Sequence, residues 1–232
     1  MSRKLIFGGT FNPIHIGHLR AAIEALEAFG FDQVDWVPSY VPRHKRSSGL
    51  LSFDLRVELL RAATRGHKNF CINEIEKSLP VPSFTFQTLD ALARNEPTAE
   101  SYFLLGDREF LRLHQWFRGR DVVSRCHLIV ACRTEFDLEA FASDGAKAWP
   151  DWRRLDPPTD AATAFELVPG RRAILLPLPR LDVSSSLVRQ RWLQGQSLVH
   201  LLPSGAIELL DLHREEVRAI WGAKAASADV AS

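Results

Sequence analysis

The stretch that most limits what this chain can fold into runs from Leu5 to Phe29: Leu5-Ile6-Phe7, then Gly8-Gly9, then a helical pattern from about Gly17. Three apolar residues ahead of two glycines read as a strand that ends in a tight turn, since glycine tolerates conformations closed to other residues. The pattern that follows reads as a helix, closed by Gly30. A strand feeding a helix through a glycine turn opens a βα unit. In open α/β sheets ligands bind beyond the carboxyl ends of the strands, which is where this turn falls.

The rest of the chain repeats the alternation. Val34–Val37 is the next strand, stopped by Pro38. A helix is predicted from about Phe53 to Ala63, with Ser52 as N-cap and Leu55, Leu59 and Ala62 on one stripe. Phe70–Ile72 reads as a short strand and Thr85–Ala93 as a helix. Tyr102–Leu105 and His127–Cys132 are apolar enough to be central strands buried on both faces, and Ala173–Leu176 adds another. Ser184–Leu193 and Ala206–Leu212 read as helices, continued by Glu215–Trp221. The order predicts an α/β fold, a Rossmann-like open parallel sheet with helices on both faces. It is expected to form a single domain over 1–222 with a C-terminal helical portion, and a disordered tail over 223–232. Thr134–Gly170, with Pro150, Pro157, Pro158 and Pro169, is predicted to hold one short helix and surface loops.

Charge bears on what the glycine turn can do. The 232 residues carry 29 Lys and Arg against 28 Asp and Glu, a net charge of +1. Nothing global favours nucleic acid or an anionic membrane as partner, so any affinity for anions must be local. Cys71, Cys126 and Cys132 form no CxxC pair and are odd in number, which predicts reduced thiols and a cytoplasmic protein. No stretch approaches the roughly 20 apolar residues of a membrane span, and the first apolar run is too short for a signal-peptide core.

The local anion site is expected in Gly8–His18, GGTFNPIHIGH. Gly8 and Gly9 let the backbone approach a ligand, Thr10 adds a hydroxyl, Pro13 stiffens the loop, and Gly17 keeps the helix start free of bulk. Free N–H groups and the positive end of the helix suit phosphate. His15 and His18, three apart, project from one side of a first helical turn and can donate to phosphate oxygens. Two histidines also suit zinc, but no nearby carboxylate or thiolate completes a site. They also suit simple capping, and a dinucleotide loop would need GxGxxG. Anion binding is the preferred reading. Far downstream, Ser184, Ser185 and Ser186 precede a helical pattern, and Arg189 lies about one turn further on. Alone these are an ordinary N-cap; paired with the first loop they suggest a second phosphate contact.

GGTFNPIHIGH followed by VSSSLVR resembles the nucleotidyltransferase superfamily with HxGH and SSTxxR motifs. Class I aminoacyl-tRNA synthetases share the first motif, but their KMSKS loop is not seen here. Within the superfamily the chain is most similar to the bacterial nicotinate-nucleotide adenylyltransferases. Val41-Pro42-Arg43-His44-Lys45 resembles their PPHK segment, Pro82–Leu89 their PSYTxxTL stretch, and Phe103–Gly106 with Trp116-Phe117 their FIIG and Trp-aromatic region. Departures are Asn12 where FDP is common, Ser186 for Thr, Gly106-Asp107-Arg108 for Gly-x-Asp, and His114-Gln115 where a proline often precedes the tryptophan.

The resemblance implies adenylyl transfer from ATP to nicotinate mononucleotide, with Mg2+ on the triphosphate. It implies His15, His18 and Arg189 as catalytic residues. It assigns Gly8, Gly9, Thr10, Phe11, His18, Ser184, Ser185, Ser186 and Arg189 to ATP. It assigns Asn12, His44, Lys45, Phe84, Thr85, Gly106, Asp107, Trp116 and Phe117 to the mononucleotide. Residues alone leave open an adenylyltransferase for nicotinamide mononucleotide or phosphopantetheine, and a non-catalytic nucleotide-binding homologue.

Overall fold

A computed structural model describes residues 2–42, 49–133, 137–155 and 163–229. The chain begins with β1 (Arg3–Gly9), α1 (Ile16–Phe29), β2 (Gln33–Pro38), α2 (Phe53–Thr64) and β3 (Phe70–Ile72). Then come α3 (Thr85–Asn95), β4 (Glu100–Gly106), the short α4 (Asp107–Arg112) and α5 (Gly119–Arg125), β5 (His127–Arg133) and α6 (Leu138–Ala148). The strands β6 (Arg153–Leu155), β7 (Ala164–Val168) and β8 (Arg171–Leu178) follow, and α7 (Ser185–Leu193), α8 (Ser204–Leu212) and α9 (Arg214–Asp229) end the chain.

The strands lie in one eight-stranded sheet in the order β3-β2-β1-β4-β5-β8-β7-β6. β1 pairs with β4, β4 with β5 and β5 with β8, all parallel. Sequence order reverses at β1, so the loop leaving β1 falls at a switch point of an open sheet. The expected mostly parallel sheet is therefore present, with one difference. Thr134–Gly170 was expected to hold a helix and loops, and it supplies α6 but also β6 and β7, which pair antiparallel with each other and with β8.

The reason is local. Ala164, Phe165 and Leu167 are buried, and β7 turns into β8 through Pro169-Gly170, with Gly170 at φ +77°. β6 has no apolar signature: Arg153 and Arg154 are exposed, and Arg153 pairs with Glu166 of β7. A short, arginine-bearing edge strand resists pairing with another chain, but it looks like a loop in sequence. At the other end, α9 continues past Ala223 to Asp229, where a tail was expected. Ala223, Ala225, Ala226 and Ala228 are strong helix formers, and this favours continued winding.

The chain divides into two compact units and passes between them five times, which is why no linker marks a boundary. One comprises 1–8, 21–35 and 84–180. Its core is built on the strands, where Leu5, Leu104, Leu128, Ile129 and Val130 are almost wholly buried. Burying each such side chain contributes roughly 1.5–3 kcal/mol. Phe110, Phe141, Trp149, Trp152 and Phe165 form an aromatic cluster in the same unit; Trp152 stacks on Phe165 with ring centroids 4.0 Å apart.

The other unit comprises 9–20, 36–83 and 181–232. It buries Trp36, Leu51, Leu59, Leu60, Val188, Leu210 and Val217, and Trp192 meets Trp221 edge-on at 5.4 Å. Here α2 begins at an N-cap whose Ser52 hydroxyl accepts from the Leu55 N–H at 3.3 Å.

Gly119 holds a turn that no other residue fits. A Cβ there would lie 1.7 Å from the Leu113 carbonyl oxygen and 3.4 Å from Trp116 Cβ. Because the clash is with backbone, it cannot be relieved by a rotamer change. Gly119→Ala is expected to destabilise the fold by at least about 2 kcal/mol in chemical denaturation; a change within about 0.5 kcal/mol contradicts this packing.

Candidate active site

The loop after β1 is held by its own carbonyls. The Arg189 guanidinium donates from Nη1 to the Asn12 carbonyl at 2.8 Å, and the Ser185 hydroxyl donates to the Pro13 carbonyl at 2.8 Å. The two motifs singled out in the sequence, 172 and 177 residues apart, thus meet directly. Ser184 is the N-cap of α7, its hydroxyl accepting from the Leu187 N–H at 3.2 Å. Ser186 accepts from Arg189 Nη2 at 3.0 Å. Half-buried, Arg189 has its pKa lowered by desolvation, and no carboxylate pairs with it among the described residues. A cation so placed attracts an anion more strongly than an exposed one does.

The two histidines lie together at the start of α1. Their rings stack with centroids 3.7 Å apart. The His15 N–H donates to His18 Nδ1 at 3.2 Å, so neutral His18 carries its proton on Nε2. His15 is buried, its Nδ1 has no hydrogen-bond partner among the described residues, and burial lowers its pKa to about 4. Gly17 makes the stack possible: a Cβ there would lie 2.9 Å from Val183 and 3.1 Å from the His15 ring.

Phe11 sits at φ +46°, a costly conformation for a bulky residue, and its ring is buried. That ring folds back so that a Cβ on Gly9 would lie 2.9 Å from it, and it meets His18 and Trp36 edge-on at 5.2 and 5.5 Å. Phe11 therefore shapes the loop with its side chain, while Thr10 remains half-buried beside it. Asn12, expected on the mononucleotide side, is buried with both ends of its amide engaged. Nδ2 donates to the Gly49 carbonyl at 2.7 Å, and Oδ1 accepts from the Leu51 N–H at 3.1 Å. An aspartate could make only the second of these bonds. His44 and Lys45 lie outside the described residues.

Sequence reasoning missed Arg56, which is 1% exposed. Its guanidinium donates to the carbonyls of Thr10 at 2.7 Å, Ser39 at 2.8 Å, Leu51 at 3.2 Å and Tyr40 at 3.4 Å. Burial lowers its pKa to about 10, opposed by the nearby Glu76 carboxylate, so it stays charged at neutral pH. Glu76, itself buried, accepts from the Tyr40 N–H at 3.0 Å and the Ser83 hydroxyl at 2.6 Å. The signal was present in the spacing: Phe53, Arg56, Leu60 and Ala63 follow one helical stripe, so an arginine occupies an apolar position.

In the unit containing 84–180, two of the residues that the resemblance assigns to the mononucleotide, Phe84 and Phe117, form an aromatic pair. Phe84 and Phe117 rings lie 4.2 Å apart, tilted by 33°, and Phe117 is 49% exposed. Phe86 lies 5.9 Å from Phe117 and carries the Arg118 guanidinium 4.2 Å above its ring. Thr85 opens α3, where Gln87 Oε1 accepts from the Phe84 N–H at 3.0 Å. Trp116 is half-buried in the turn set by Gly119. Gly106 ends β4 with open space where a Cβ would stand, and Asp107 accepts from the Arg108 N–H at 2.7 Å. A Cβ on Gly8 would lie 3.3 Å from the Phe103 ring, too near for a side chain without adjustment. Among the described residues no three His, Cys, Asp or Glu gather as a metal site, and no helix is long and apolar enough to cross a membrane.

Residues 6–191 match the family model described as cytidylyltransferase-like. A protein of Pelobacter propionicus named "Probable nicotinate-nucleotide adenylyltransferase" is 37% identical, over 85% of this chain and 90% of its own. One of the same name from Trichlorobacter lovleyi is 35% identical, over 85% and 91%. Among solved structures, a Plasmodium falciparum nicotinic acid mononucleotide adenylyltransferase complexed with NaAD has a TM-score of 0.67 at 17% identity. It matches over 92% of this chain and 96% of its own, a likeness of fold.

The buried imidazole gives a pH signature. With its folded pKa lowered from 6.5 to about 4, His15 binds a proton in the unfolded chain first. Its contribution to stability is complete above pH 6.5 and is lost as pH falls toward 4. An NMR titration of the ring nitrogens is expected to show His15 neutral down to about pH 5; a midpoint near 6.5 contradicts the buried placement.

Proposed function

Because this chain belongs to the cytidylyltransferase-like family, we propose that it transfers the adenylyl group of ATP to nicotinate mononucleotide, forming deamido-NAD and pyrophosphate. The observation that carries the reading is the tie between α7 and the loop after β1, through Ser185 to Pro13 and Arg189 to Asn12. It gathers a guanidinium with no carboxylate partner among the described residues, a serine-capped helix start and a histidine pair around one loop. That assembly suits a polyphosphate. Relatives bearing the adenylyltransferase name align over most of their own length, which supports the choice of mononucleotide.

In this reaction a phosphate oxygen of the mononucleotide attacks the α-phosphorus of ATP, and the bond to the β-phosphate oxygen breaks. A phosphate monoester has a second pKa of about 6, so the nucleophile is already mostly ionised near neutral pH and needs no general base. The protein's part is to align two anions and offset charge in the transition state. His18 donates from Nε2, neutral His15 stacks behind it, and Arg189 supplies fixed positive charge. Gly8, Gly9, Thr10 and the backbone of Phe11 form the ATP side with Ser184, Ser185 and Ser186. Mg2+ enters with the triphosphate as part of the substrate.

Phe84 and Phe117 offer a flat apolar surface to the pyridine ring, with Trp116, Thr85, Gly106 and Asp107 as its neighbours in the reading. The nicotinate carboxylate only accepts hydrogen bonds, whereas the amide of the nicotinamide analogue also donates. We assign the chain to the cytoplasm on its reduced cysteines.

Initial rates of pyrophosphate release with ATP and Mg2+ test the assignment. Nicotinate mononucleotide is expected to exceed nicotinamide mononucleotide in kcat/KM by at least about tenfold, the discrimination one mispaired polar group gives. Turnover of phosphopantetheine without turnover of nicotinate mononucleotide overturns the substrate. ATP binding with no pyrophosphate release for any acceptor overturns the activity.

A further inference from the structure

We propose that Arg56 is a positioning residue for the phosphate loop, its planar guanidinium setting that loop's geometry from behind. The inference rests on the adenylyl-transfer reading for its setting, and on the hydrogen bonds of Arg56 for its content.

Three edges of the guanidinium are each committed to a different piece of backbone: Nη1 to Thr10, Nη2 to Ser39 and Tyr40, and Nε to Leu51. The Thr10–Phe11 peptide is trans, so the Phe11 N–H points opposite to the Thr10 carbonyl that Arg56 holds. Fixing that carbonyl inward fixes the direction of the next N–H in the loop read as the ATP site. The Leu51 residue is gripped at both ends, its carbonyl by Arg56 and its N–H by Asn12. Ser39 and Tyr40 on one side, and Gly49 and Leu51 on the other, bracket the stretch whose sequence carries Arg43-His44-Lys45-Arg46. Arg56 and Asn12 together register Ser39-Tyr40 and Gly49–Leu51 against Thr10–Asn12.

The chemistry calls for arginine. A lysine ammonium donates from one point at the end of a flexible stem and cannot serve carbonyls arrayed around a planar fork. Direction is imposed from the helix itself: Ser52 caps α2, and the Arg56 N–H makes the helix's bond to the Ser52 carbonyl at 3.1 Å. Arg56 touches neither substrate in this account and acts through Thr10.

The test compares the full chain with Arg56→Lys, Arg56→Met, Asn12→Asp and the core truncation Val217→Ala. Calorimetry measures binding of Mg·ATP and of nicotinate mononucleotide separately, and thermal melts track stability. Both Arg56 variants are expected to weaken ATP binding by at least about tenfold, the equivalent of one charge-assisted hydrogen bond, while mononucleotide binding stays within about threefold. Val217→Ala is expected to lower Tm and leave both affinities within about twofold. Should the Arg56 variants fail to fold, Asn12→Asp decides. It keeps the bond to Leu51 and loses the one to Gly49, and a several-fold weakening of ATP alone is expected. ATP binding by Arg56→Lys within about twofold of wild type overturns the proposal. So does equal weakening of both ligands, or an unchanged ATP affinity in Asn12→Asp where that variant decides. Normal ATP binding by the wild type without any turnover refutes the enzymatic reading and leaves the Arg56 result to stand on binding.

Discussion

Main-chain carbonyls of one short loop are captured by two arginines and a serine, and the arrangement of the phosphate-side residues depends on it. Arg56 takes the Thr10 carbonyl, Arg189 that of Asn12, and Ser185 that of Pro13. Buried carbonyls need partners, and side chains supply them here because the loop runs through no regular ladder. The glycines have the complementary task. Gly9 gives room to the Phe11 ring, and Gly17 gives room to the His15 ring and Val183. Carbonyl capture and missing Cβ atoms together produce a loop with a left-handed Phe11 and two stacked imidazoles.

The same bonds set the electrostatics. Arg189 and Arg56 both lose hydration, and burial lowers both pKa values, yet both remain charged near neutral pH. Carbonyl dipoles solvate them without cancelling their charge. A unit charge held about 4 Å from a phosphate oxygen at an effective dielectric of about 20 is worth roughly 4 kcal/mol. His15 contributes no charge at pH 7; its place is in the stack with His18, whose Nδ1 is oriented by a backbone N–H. In the proposed reaction, charge therefore comes from arginine and direction from histidine.

Much of this was legible in sequence because it is local. The apolar run, the glycines, and the serines before α7 each announce an element within a few residues, and the strands they predict are present. What escaped is set by packing at a distance. β6 looks like a loop because its arginines face outward, Arg153 pairing across to Glu166 of β7. Arg56 looks like a surface charge among Asp54 and Glu58, although its place on the Phe53–Ala63 stripe marks it as buried. Asn12 reads as a weakened copy of an aspartate, whereas its amide makes a bond to Gly49 that a carboxylate cannot. The aromatic side shows the same limit: Phe84 and Phe117 were picked out by resemblance, while Gly119, which permits the turn at Trp116, carries no motif.

His18 and Arg189 are proposed to act as one unit on a phosphate because the loop and α7 are tied together. A double-mutant cycle on kcat for adenylyl transfer, with His18→Ala, Arg189→Ala and both together, tests this most directly. Each single change is expected to lower kcat by about 10²–10³-fold and the pair to lose little more than the worse single variant, a coupling of at least about 2 kcal/mol. Additive losses, or a kcat unchanged by either substitution, contradict it.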